Sequence, residues 1–238
     1  MGKRVSSASL KHRLVDRGWA VVGVKDRKAL ETVRDALKKK ARDLTGQPSV
    51  ELEDFHHYVK DDATFERWVA ELNRFFQTEK WGHRVIEAER DFFQGLLGPD
   101  LNVQAISELS IARPGCPKDN IAFRRDTKHG HLPHEISVLI PYVDVAEASA
   151  ISVVSESHVR PEASELQGAE PVSMKFGEIL LFSQALLYGS QANVGENTRW
   201  TSGSRVVNSG VAVSPDEPRG YYQNFCRSDD PPLREETP

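Results

Sequence analysis

Three of the eight histidines fall within six residues, at His129, His131 and His134, and Glu135 follows directly. Imidazole nitrogens and a carboxylate this close together are the donor types that suit a divalent first-row metal. Gly130 and Pro133 interrupt the run, so it reads as a loop whose polar side chains stand at the mouth of a pocket. Just upstream, Arg124-Arg125-Asp126 offers planar guanidinium forks and one acid. Other chemistries lack their residues. There is no Gly-rich phosphate loop, no nucleophile elbow and no Cys-x-x-Cys pair, and Cys116 and Cys226 suggest neither a zinc ribbon nor a disulfide framework. His56-His57, His158 and the Lys38–Lys40 run are read as structural or solvated positions.

Bulk properties narrow the partners. The chain has 31 Lys+Arg against 35 Asp+Glu and a net charge of -4, which argues against a nucleic-acid partner. No window approaches the apolar length of a membrane span. The basic start runs into Lys11, His12 and Arg13 without an apolar stretch, so no secretory signal is expected and a reducing cytoplasmic setting is.

The elements that must position these residues change character along the chain. Over residues 1–100 the pattern is helical: residues 8–17 before Gly18, then a strand-like Trp19–Val22, then a helix from Asp26 to Leu44. In that helix Leu30, Val33, Leu37, Ala41 and Leu44 recur at steps of three or four and share one face. Two more helical stripes carry Phe65 to Phe76 and Val85 to Leu97, with their aromatics assigned to the core. Over 101–213 short β-rich segments take over, at 103–111, 136–141, 150–154, 178–182 and 200–207. That succession predicts a sandwich or jelly roll covered by the helices, within one domain spanning 1–238. In the tail, 214–238, Tyr221, Tyr222 and Phe225 are expected to pack down and 231–238 to stay loose.

Taken in order, Arg113-Pro-Gly115, Phe123–Thr127, His129–Pro141, Ser155–His158, Phe176–Phe182, Leu187–Asn193 and Thr198–Trp200 resemble the iron(II)/2-oxoglutarate-dependent oxygenases. The likeness is to the phytanoyl-CoA dioxygenase-like branch and to relatives in carbohydrate and aminoglycoside biosynthesis, and it covers residues 103–208. It implies an α+β fold, a cupin-like double-stranded β-helix under N-terminal helices. It also implies a His-x-Asp pair and a distal His around iron, with an Arg beyond that His for 2-oxoglutarate.

This chain departs from that pattern at the metal. Arg124-Arg125-Asp126 stands at the His-x-Asp position and Tyr188 at the distal His, so only Asp126 is kept. Guanidinium holds its protons and neutral phenol is a poor ligand, so ordinary Fe(II) chemistry is not expected. Arg199 stands eleven residues after Tyr188, where the resemblance puts the 2-oxoglutarate carboxylate, and Arg205, six residues later, is expected to bind the acid with it in the same pocket. Arg124 is expected to share a strand face with Asp126 and take the place of the cation. Asp126, Tyr188 and Arg124 would then act on or hold an anionic or polyhydroxylated small molecule, such as a sugar or amino-sugar intermediate. Two alternatives stay open. One is a hydroxylase with substitute ligands drawn from Asp126, His129, His131 and Glu135, the last three at the spacing of the first cupin motif. The other is a non-catalytic protein that binds ligand, associates with itself or docks on an active paralogue.

Overall fold

A computed structural model describes residues 7–160, 168–211 and 218–228. Helix α1 (Ser7–Arg17) leads into strand β1 (Trp19–Gly23), and helix α2 (Arg27–Thr45) follows. Asp26 caps α2 by accepting from the Ala29 amide, and Gly46 ends it in the left-handed region at φ 70°. The face read from the sequence is buried at Leu30, Val33, Leu37 and Ala41. Helix α3 (Asp62–Thr78) buries Phe65, Leu72 and Phe76. The stripe from Val85 to Leu97 is not one helix but two, α4 (Trp81–Ala88) and α5 (Arg90–Leu97). The break falls at Glu89, whose buried carboxylate accepts from the Lys25 and Asp26 amides at the head of α2.

The remaining strands are β2 (Leu101–Gln104), β3 (Glu108–Ala112), β4 (Ile136–Pro141), β5 (Ile151–Val154) and β6 (Ala169–Pro171). They continue with β7 (Glu178–Ser183), β8 (Leu187–Ser190), β9 (Arg199–Asn208) and β10 (Tyr222–Cys226). The large antiparallel sheet runs β1-β7-β4-β9-β2-β10, with β3 also on β9, and the small sheet runs β6-β5-β8. This is the cupin-like jelly roll, with helices over the large sheet. The segment at 103–111, expected as one strand, is two. β3 pairs with the first half of β9 and β2 with the second, while Ile106 bulges outward between them.

Strand β9 divides the molecule. Trp200 and Val206 face the helices, where Trp200 packs edge-on to Phe55 and donates to the Leu52 carbonyl at 2.8 Å. Arg199, Thr201, Gly203 and Arg205 alternate with them and face the space between the sheets. Of the tail, β10 packs on β2 as the tyrosines suggested; 231–238 lie outside the described residues. Among the described residues no helix is long and apolar enough to cross a membrane.

Candidate functional site

Arg124 and Tyr188 meet across a single antiparallel bridge, with reciprocal amide–carbonyl bonds of 2.8 and 3.1 Å. The expectation that Arg124 and Asp126 share a strand face is corrected here. The chain leaves the strand after Arg124, and Asp126 opens a 3₁₀ turn, Asp126–His129, closed by Gly130 in the left-handed region. That turn folds the carboxylate back onto the Tyr188 hydroxyl, where its side chain is 3% exposed. Arg125, between them, points elsewhere and donates to the carbonyls of Ser157, Ala185 and Arg160.

Asp126 is held on every side. Its Oδ2 receives Arg205 Nη2 at 2.7 Å and its Oδ1 receives Arg124 Nε at 3.2 Å, while the Tyr188 hydroxyl stands 3.0 and 3.1 Å from the two oxygens. Arg124 Nε is also 3.2 Å from that hydroxyl. Burial, then the charge of Asp126, push the Tyr188 phenol up to about 12, so it keeps its proton at neutral pH. Burial works against the charge on Arg124, yet Tyr188 and Asp126 outweigh it and leave that guanidinium above its ordinary value.

Arg205, expected with Arg199 to hold a bound acid, is instead the best-partnered of the group. Beyond Asp126 it donates to Gln184 Oε1 at 3.2 Å, Gln104 Oε1 at 3.0 Å and the Tyr221 hydroxyl. Gln184 in turn donates to Ser137 Oγ at 2.8 Å. Gln104, Gln184 and Tyr221 come from β2, the turn after β7 and the edge of β10, and no local spacing announced them. Arg199, expected beside Arg205 at a bound acid, is set apart. It is 1% exposed and gives one bond, from Nη1 to the Ser149 carbonyl at 2.9 Å, while Nε and Nη2 have no partner. The Thr201 hydroxyl on the same strand face is likewise without a partner. Burial pulls the Arg199 guanidinium down to about 10, which still leaves it charged at neutral pH.

The side chains of the histidine loop do not converge on one point among the described residues. His129 is exposed, and His131 Nδ1 lies 3.1 Å from Glu135 Oε2, which also accepts from Tyr222 at 2.7 Å, while Glu135 Oε1 accepts from the Leu132 amide. Glu135 is thus an internal brace between the loop and β10. Among the described residues no three His, Cys, Asp or Glu side chains come together to hold a metal, so His129, His131, Glu135 and Asp126 do not form the alternative ligand set. His158 anchors α1 by donating to the Val15 carbonyl at 2.8 Å.

Beside the Asp126 cluster a cleft of about 100 Å³ opens between the sheets, lined among others by Glu108, Ser110, Arg124, Ser137, Leu139 and Gly203. Arg124 turns Nε inward and leaves its side chain 45% exposed. Its terminal nitrogens have no hydrogen-bond partner among the described residues.

No family model and no curated protein matches the chain. Solved structures match it over nearly its whole length. A non-heme monooxygenase, the ThoJ–Ni complex, superposes with a TM-score of 0.66 at 17% identity, covering 96% of this chain and 89% of that one. The non-heme alpha ketoglutarate dependent epimerase SnoN from nogalamycin biosynthesis gives 0.58 at 16% identity, over 96% and 98%. CytC3 with Fe(II) and alpha-ketoglutarate gives 0.57 at 14% identity, over 90% and 82%. The chain has their fold. An iron site does not fit its residues, however: the one retained carboxylate already has both oxygens engaged by two guanidinium groups and a phenol.

Proposed function

We propose that the protein is a diverged relative of the iron(II)/2-oxoglutarate oxygenases, on the phytanoyl-CoA dioxygenase-like side, that binds an anionic or polyhydroxylated small molecule without iron chemistry. The observation that carries this reading is the closed state of Asp126, bonded by Arg205, Arg124 and Tyr188 at 2.7 to 3.2 Å. A metal at this carboxylate would have to break those bonds and stand against two cations. The guanidinium pair neutralises the acid in its stead.

Binding is favoured over proton-transfer catalysis because Tyr188 holds its proton up to about 12 and Asp126 is shielded from the cleft. Arg124 is the group that meets the ligand, since it lines the cleft with a half-exposed side chain whose terminal nitrogens are unpartnered among the described residues, a fork suited to a carboxylate or phosphate. A second acid position at Arg199, which the resemblance implies for 2-oxoglutarate or a similar acid, is supported by its two unpartnered nitrogens and the unpartnered Thr201 hydroxyl. Arg205 is not available for it. A sugar or amino-sugar ligand rests on analogy, as does docking on itself or an active paralogue. Free Cys116 and Cys226 support a reducing, cytoplasmic setting.

The test is metal analysis of the purified chain with a 2-oxoglutarate turnover assay. Substoichiometric iron after loading and no succinate is the expected result, together with calorimetric binding of small acids that Arg124→Ala removes. Near-stoichiometric iron with succinate formed from 2-oxoglutarate would overturn it in favour of a hydroxylase with substitute ligands.

A further inference from the structure

We propose that the cleft takes a dipolar ligand, a small molecule whose anionic group meets Arg124 and whose ammonium group meets Glu108. The proposal rests on the acid-binding reading above and adds the second charge. Glu108 opens β3 and lines the same cleft as Arg124. It is exposed, and its side chain forms no ion pair or hydrogen bond among the described residues. The two charges come from opposite walls: Glu108 from the large sheet, Arg124 from the segment bridged to β8 of the small one. They are not paired with each other: Arg124 shares the single charge of Asp126 with Arg205, which leaves that wall net positive, while Glu108 has no ion-pair partner among the described residues.

Gly203 supplies an independent observation. It lies in the middle of β9, where Glu108 of β3 is its partner on one side and Leu139 of β4 on the other. A glycine inside a strand loses conformational entropy and packs nothing, so it marks a bulge or a place where something approaches the backbone. Gly203 is in register on both sides, and its φ is outside the left-handed region, so neither a bulge nor the backbone requires glycine there. Space is the remaining reason: no atom lies within 4 Å of where a Cβ would stand. The missing side chain leaves room in the cleft beside Glu108. The lining between the charges is uncharged, with the hydroxyls of Ser110 and Ser137 and the apolar surfaces of Ile121, Leu139 and Phe182. Charged ends and a mixed, neutral middle describe an amino-acid-like or aminated sugar phosphate ligand rather than a diacid.

The experiment titrates the full chain calorimetrically with three matched pairs: L-glutamate against 2-oxoglutarate, L-phenylalanine against phenylpyruvate, and glucosamine 6-phosphate against glucose 6-phosphate. In at least one pair the amino member is expected to bind about fivefold more tightly, the size of one half-exposed ion pair. Glu108→Gln should erase that preference and leave the partner's affinity unchanged. Gly203→Val should abolish binding of both members at an unchanged melting temperature; if it melts lower, Gly203→Ala should still weaken both. Acids that bind as well as their amino partners in every pair, or a preference that survives Glu108→Gln, overturn the dipolar assignment and leave the acid site standing. Binding by no member of any pair removes the acid site as well.

Discussion

Arg205 and Arg199 share one face of β9, six residues and about 20 Å apart at the rise of a strand, and their surroundings differ completely. Arg205 meets one carboxylate, two amide oxygens and a tyrosine hydroxyl. Arg199, more deeply buried, meets one carbonyl oxygen and leaves two nitrogens unsatisfied. A buried guanidinium is stabilising or destabilising according to what its neighbours accept, not according to its own chemistry. One end of the strand is therefore a finished electrostatic structure, and the other is a cation short of an anion.

The largest expected effect breaks the finished end. Asp126→Ala strands Arg205 among neutral acceptors and should lower stability by about 3 kcal/mol, the scale for removing one partner of a buried pair. Adding Arg205→Met should return a large part of that loss. A double variant no more stable than Asp126→Ala in urea unfolding would mean that the pair is not the unit it looks to be.

The opposite sign is expected at the other end. Arg199→Met replaces an under-partnered charge with an apolar chain of similar length and should be neutral or stabilising by about 1–2 kcal/mol without ligand. A loss of several degrees in melting temperature would show that Arg199 is satisfied in a way the two regions do not share. Smaller still is Tyr188→Phe, which removes one donor from Asp126 while both arginines remain, at about 1 kcal/mol.

The smallest effect concerns the brace behind the cluster. Burial raises the Glu135 carboxyl, but hydrogen bonds from His131, the Leu132 amide and Tyr222 outweigh it and leave the acid below its ordinary 4.5. A folded value below the unfolded one gives stability that is present above about pH 4.5 and lost as pH falls through the folded value. Tyr222→Phe removes one of those bonds, so its melting temperature should fall less steeply than wild type between about pH 5 and 3. Parallel curves for the two proteins would dissociate Glu135 from the acid response.

Much of the frame was legible because it follows from local pattern. The apolar face of α2 and the limits of β4 depend on residues a few positions apart, and the structure keeps both. The pattern misled where a long-range contact overrode it. Glu89 splits a continuous helical stripe because two amides of the α2 head need its carboxylate. The turn at 105–107 splits a continuous β pattern because β9 is long enough to pair with two strands in succession. Strands β6, β8 and β10 carry three to five residues each, too few for a period to stand out.

At the site, residue types alone established that Asp126 has no histidine beside it at the two expected positions, and that Arg124 and Tyr188 stand there instead. That followed from identity and spacing, because guanidinium and neutral phenol are poor metal donors in any fold. Which arginine holds Asp126 most closely, which is left without partners, and that Gly203 leaves open space beside Glu108 were decided only by the tertiary structure. The reason is physical: a charge is satisfied, stranded or offered to a ligand by groups that sheet pairing brings from β2, β3, β8 and β10, tens of residues away along the chain.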